Sequence, residues 1–112
     1  MPFAEEEIKE LKTIAPNISS ATDGGYEYIL IEKLQLPEGC NPSEVDALLC
    51  PTPKDGYESR LFFSTQISGC PSRNWNGNIR VLDRNWYAFS WRINSRHSLS
   101  KTLLLHLNSL QK

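Results

Sequence analysis

The chain has 112 residues, 39% of them apolar and 22% charged, with a formal net charge of −1; that suits one compact domain, too short for two, at the polar end of soluble composition. No apolar run approaches the roughly 18 residues of a bilayer-spanning helix, and the acidic start "MPFAEEEIKE" is unlike a basic-then-apolar secretory signal. Three cysteines spaced ten and twenty apart give neither a disulfide framework nor a paired zinc-ligand pattern, so the expectation is a single domain over residues 1–112 in a reducing cytoplasm.

The small net charge conceals a split. Residues 1–56 hold eleven carboxylates against four lysines, and residues 57–112 hold eight basic side chains against Glu58 and Asp83. Such a split can mark a basic face for an acidic partner or for nucleic acid. The simpler reading is that the two halves pack together and neutralise each other.

The first element is "PFAEEEIKELKTIAP", an amphipathic helix. Phe3, Ile8 and Leu11 share a face, glutamates occupy the first turn, and Pro16 ends it. "SSATDGG" reads as a loop of turn formers. "YEYILIEKLQL", Tyr26 to Leu36, reads as a long strand with Tyr28, Leu30, Leu34 and Leu36 on one face and Glu27, Lys33 and Gln35 on the other. Ile29 and Ile31 thicken the second face, so both sides are partly covered. After the turn "PEGCNP", "EVDALLCP" is a second strand and "YESRLFFSTQI" a third, and turns this short make the meander antiparallel. "SGCPSRNWNGN" is loop by composition, "IRVLD" a short extended piece, and "NWYAFSW" an aromatic strand or ordered loop. Leu99, Leu103, Leu107 and Leu110 then recur at helical spacing behind Ser98 as N-cap. The expected fold is α+β: an antiparallel meander of three to four strands, with an N-terminal and a C-terminal helix packed on one side.

Three segments carry a resemblance. "LPEGCNPSEVDALLCPTPKDGY" resembles the "LP-x-G-x-N…D-x-L…P…GY" segment of the prokaryotic family E of the ubiquitin-conjugating enzyme superfamily, with Leu36, Pro37, Gly39, Asn41, Asp46, Leu48 and Gly56-Tyr57 in place. "RLFF" stands where that family has a methionine and aromatics, and "RNWYAFSWR" with the leucine-rich helix resembles its aromatic segment and closing helix. The likeness covers residues 26–110. It implies a shortened ubiquitin-conjugating fold. The function it implies is a cytoplasmic transferase that accepts a ubiquitin-like protein from an adenylating activating enzyme and passes it to a target in a bacterial pathway. A metal-dependent deubiquitinase-type peptidase would belong to the same pathway, and no cofactor is implied. "FFSTQISGCP" also resembles the strand of the eukaryotic-type enzymes that leads to His-Pro-Asn. Here those three positions read Ser68-Gly69-Cys70, and the later carrier position, near Asn78 to Arg80, holds no cysteine. The family's aromatic-segment histidine is replaced by Arg92, and "SRH" comes only at Ser95-Arg96-His97.

Cys70 is the candidate acyl carrier. A thioester carrier needs an accessible thiolate, and Arg73 and Arg80 nearby in sequence favour that form. Asn74, Asn76 and Asn78 are amides able to stabilise an oxyanion, Asn74 and Asn78 being the favoured donors, and His97 is a candidate base or acceptor-orienting group. The alternative is that Gly69-Cys70-Pro71 is only a turn. Cys50 is expected in the core, Cys40 exposed or half-exposed, and His106, among leucines, satisfied or at the edge of the core. The arginines interleaved with Trp75, Trp86, Tyr87, Phe89 and Trp91 allow a stacking surface for single-stranded nucleic acid; the competing reading is that these aromatics fill a small core. Two further functions therefore stand beside the carrier: an inactive adaptor of the same fold that docks the activating enzyme or ubiquitin-like protein, and, least favoured, a basic nucleic-acid-binding module.

Overall fold

The computed structural model describes residues 3–51, 59–69, 75–89 and 97–110. The elements are α1 (Glu5–Lys12), β1 (Ile18–Asp23), β2 (Tyr26–Gln35), β3 (Glu44–Cys50), β4 (Arg60–Phe63), β5 (Trp75–Val81), β6 (Arg84–Phe89) and α2 (Leu99–Asn108). The fold is α+β. Its strands form one antiparallel sheet in the order β1-β2-β3-β4-β6-β5.

Among the described residues six strands replace the expected three to four, and each extra strand has a local cause. "SSATDGG" is not a loop: its first residues form β1, and the chain reverses at Gly24-Gly25, both at positive φ, between the paired Asp23 and Tyr26. Two glycines in a two-residue loop match the twist of the flanking strands. The strand escapes notice because Ser19, Ser20 and Thr22 are exposed, leaving too few apolar residues for an alternation. The second hairpin, β5–β6, turns at Leu82-Asp83, with φ of 53° and 58°. Neither Asn-Gly nor Asp-Gly marks that turn, so nothing in the sequence announces it. Part of the expected asparagine-rich loop, from Trp75 onward, is therefore strand. The third expected strand is also shorter: β4 ends at Phe63, and Tyr57 and Glu58 lie outside the described residues.

The face assignment along β2 needs a correction. Lys33 takes φ of 55°, and the β2–β3 register shifts between Ile31 and Leu34. A bulge of one residue reverses every later side chain. Leu34 consequently joins Ile29 and Ile31 rather than Tyr28 and Leu30. The carboxylate of Asp46 on β3 holds the bulge, accepting the Lys33 N–H at 3.1 Å.

Both faces of the sheet are apolar. Beneath the helices, Ile29, Ile31, Leu49, Leu61 and Phe63 pack with Ile8 and Leu11 of α1 and with Leu99, Leu103, Leu107 and Leu110. Both helices lie on this one side. The other face holds a second core of Tyr28, Leu48, Cys50, Phe62, Val81, Trp86 and Ala88, to which neither helix contributes. The sheet curls over it: the Leu82 N–H at the tip of the second hairpin donates to Asp23 Oδ2 at the tip of the first, at 2.6 Å.

The N-terminal and C-terminal halves of the chain meet at the helices and across the sheet. Glu7 Oε1 accepts the Leu99 N–H at the start of α2, and Ser100 donates its hydroxyl to Glu10. A glutamate of the first helix thus satisfies an open N–H of the second and meets the positive end of its dipole. Ser98 caps the same end, accepting from the Lys101 N–H. Across the sheet, Arg84 pairs with Asp46 at 3.4 Å and lies 4.6 Å from the ring centre of Trp86.

Candidate functional site

The segment leading to Cys70 is fixed by a turn distant in sequence. After β2, the Cys40 N–H bonds back to the Pro37 carbonyl at 3.2 Å, closing the turn of "LPEGCNP". Asn41 and Ser68 then exchange both backbone hydrogen bonds at 2.9 Å, and the Ser68 hydroxyl donates to the Asn41 carbonyl at 3.1 Å. Gly69 has φ of +79°, and a Cβ there would sit 2.1 Å from the Gly39 carbonyl oxygen. Only glycine fits. Cys40 and Ile67 anchor the junction from below, both buried, while Ser68 and Gly69 are exposed. Cys40 is therefore a core residue, contrary to its expected exposure, because the bridge draws its turn down onto the helix-side core. The turn "LPEGCNP" is thus joined to Ser68 and Gly69 at an exposed rim.

Cys70 and Asn74 lie outside the described residues. Asn78 belongs to β5, but its side chain is not among those described. His97 is exposed, two residues before α2, and its carbonyl accepts from the Thr102 hydroxyl at 3.5 Å. Arg80 is exposed on β5 and donates to Asn85 Oδ1 at 3.2 Å; Arg73 lies outside the described residues.

The aromatic residues are largely committed to packing. Trp86 and Phe89 are buried, and Trp75, Phe63 and Phe89 form one cluster with centroid separations of 4.9 to 6.1 Å. Trp86 donates its indole N–H to the Val81 carbonyl at 3.0 Å. Trp91, Arg92 and Arg96 lie outside the described residues. Cys50 is fully buried, as expected.

One polar pair was only half legible in the sequence. His106, expected to be satisfied or at the edge of the core, shares a 2.9 Å hydrogen bond through Nε2 with Ser59, and both side chains are buried. Burial lowers the imidazole pKa to about 4, helped by the nearby charge of Arg60, so the ring is neutral at physiological pH. The space beside it, lined by Arg60, Leu61, Phe63, Phe89 and His106, holds about 10 Å³, room for a single water. The pair joins the strand side of the core to α2. Ser59 lies too far from His106 in sequence for any local signal to show it.

Among the described residues, no group of three or more His, Cys, Asp or Glu side chains converges on a metal-sized site. No helix among them is long and apolar enough to cross a membrane. Comparison with protein-family models, curated proteins and solved structures gave no match to this chain.

Proposed function

We propose that this protein is a carrier of a ubiquitin-like protein, built on a shortened ubiquitin-conjugating-type fold, acting between an adenylating activating enzyme and a target in a bacterial, cytoplasmic conjugation pathway. The observation that supports it is the clamped rim. The bridge between Asn41 and Ser68 and the close approach of Gly69 to Gly39 hold the two residues that precede Cys70 in the sequence. A nucleophile that must meet two large partners in turn gains when the backbone before it is anchored at an exposed rim.

In this reading the Cys70 thiolate attacks the thioester carbonyl at the C-terminal glycine of the ubiquitin-like protein, held on the activating enzyme. The tetrahedral oxyanion collapses and expels the enzyme's thiolate, leaving the acyl group on Cys70 Sγ. A target amine then attacks the new thioester, loses its proton, and displaces the Cys70 thiolate. Arg73 and Arg80 favour the thiolate, Asn74 or Asn78 donates to the oxyanion, and His97 orients or deprotonates the acceptor.

One observation favours the second reading, an inactive adaptor that docks the activating enzyme or the modifier. Asn78 to Arg80, where the resemblance sets the later carrier position, lie within strand β5 and include no cysteine.

A charging assay decides between them. The protein is incubated with its activating enzyme, the ubiquitin-like protein and ATP, and products are resolved with and without thiol reductant. The carrier reading requires an adduct that reductant removes and Cys70→Ala abolishes. No adduct, with an activating enzyme that charges itself, leaves the adaptor.

A further inference from the structure

The geometry points to a second copy of this chain as the partner of strand β1, paired antiparallel across a two-fold axis at Ser20 so that two six-stranded sheets become one. This inference stands apart from the carrier reading.

β1 is one edge of the sheet, and its ladder to β2 shows which of its groups are left over. The Glu32 N–H donates to the Asn17 carbonyl at 2.9 Å, in the same register that pairs Ile18 with Ile31. Hydrogen-bonded positions alternate along an antiparallel ladder. Ser19, Ala21 and Asp23 therefore bond toward β2, while Ile18, Ser20 and Thr22 direct their N–H and C=O groups outward. Ser19 is exposed on one face of the strand, Ser20 and Thr22 on the other, so among the described residues no helix overhangs this edge.

Sheet edges are normally blunted by charge, proline or a bulge. β5, the opposite edge, is blunted: its register shifts between Asn76 and Ile79, and it carries exposed Arg80. β1 has an unbroken register and neither lysine, arginine nor proline.

The sequence "NISSATD" is also self-complementary. Centred on Ser20, antiparallel pairing sets Ser20 against the partner's Ser20, Ile18 against the partner's Thr22 and Ser19 against the partner's Ala21. Asp23, the one charge, falls opposite the partner's Asn17, so no like charges meet. Every outward backbone group of Ile18, Ser20 and Thr22 gains a partner, and the contact is the closed, isologous kind. A six-residue strand makes an interface below standard size, so the dimer is weak and in exchange with monomer.

The test is sedimentation of the full chain from about 10 μM to about 1 mM, the range where a weak interface populates both states. The expected result is a reversible monomer–dimer equilibrium that Ser20→Pro abolishes. Proline at this position removes an outward N–H and leaves the β1–β2 bonds intact. Should Ser20→Pro fail to fold by circular dichroism, Ser20→Lys decides instead, because the axis brings two ammonium groups together. Amide exchange at Ile18, Ser20 and Thr22 should slow as concentration rises. A wild type that stays monomeric throughout, or a dimer that survives the folded Ser20 variant, overturns the inference.

Discussion

Ser59 and His106, 47 residues apart in sequence, share a buried 2.9 Å hydrogen bond that ties the residue preceding β4 to the C-terminal half of α2. With its pKa lowered from 6.5 to about 4, His106 takes up a proton in the unfolded chain before it does in the folded one. Its contribution is full above pH 6.5, declines as the pH falls from 6.5 toward 4, and is spent below that. The loss is on the order of 3 kcal/mol across the window. Urea unfolding from pH 7.5 to 4 should show this decline, and His106→Gln should flatten it. Equal slopes for the two proteins would falsify the assignment.

Gly69 faces the Gly39 carbonyl at a distance no side chain tolerates. Gly69→Ala should therefore shift the bridge to Asn41 and cost about 1–3 kcal/mol, through strain at positive φ and the displaced carbonyl. Denaturant melts measure the loss. If the carrier reading holds, the folded fraction of this variant should also charge more slowly than wild type.

Glu7 accepts from the Leu99 N–H at the start of α2 at 3.2 Å. Glu7→Gln keeps an acceptor and loses the charge, and should cost a few tenths of a kcal/mol. Glu7→Ala loses both and should cost about 1 kcal/mol. Thermal unfolding of the pair separates capping from charge. Equal melting temperatures for the two variants would show that the hydrogen bond contributes nothing.

Trp86 is fully buried, with its indole N–H on the Val81 carbonyl. Trp86→Phe should cost about 1–3 kcal/mol, because it leaves that buried carbonyl short of a donor and opens a void. Trp86→Ala should cost about 3–5 kcal/mol. The same Phe substitution at half-buried Trp75 should cost less, and chemical denaturation of both ranks them.

Cys70 was picked out by its chemistry and its neighbours in sequence, and it stays a proposal. The rim that leads to it could not be read from the chain, because Gly39 and Gly69 meet only in the folded sheet. His106 looked satisfied from its place among leucines, but its partner Ser59 lies on another element.

What the sequence determined by itself is whatever depends on neighbours a few residues apart. The faces of both helices, the Ser98 cap, the burial of Cys50 and the antiparallel sense of the meander all follow from local spacing and short turns. What the tertiary structure decided depends on groups distant along the chain. β1 is a strand because β2 supplies hydrogen bonds to a polar segment that could not become one alone. Leu34 changes face because Asp46 holds the Lys33 bulge from the next strand. Trp86 and Tyr28 are buried without a helix over them because the sheet curls until Asp23 meets Leu82. Side-chain periodicity records local geometry, and it carries no record of a hydrogen bond made from another strand.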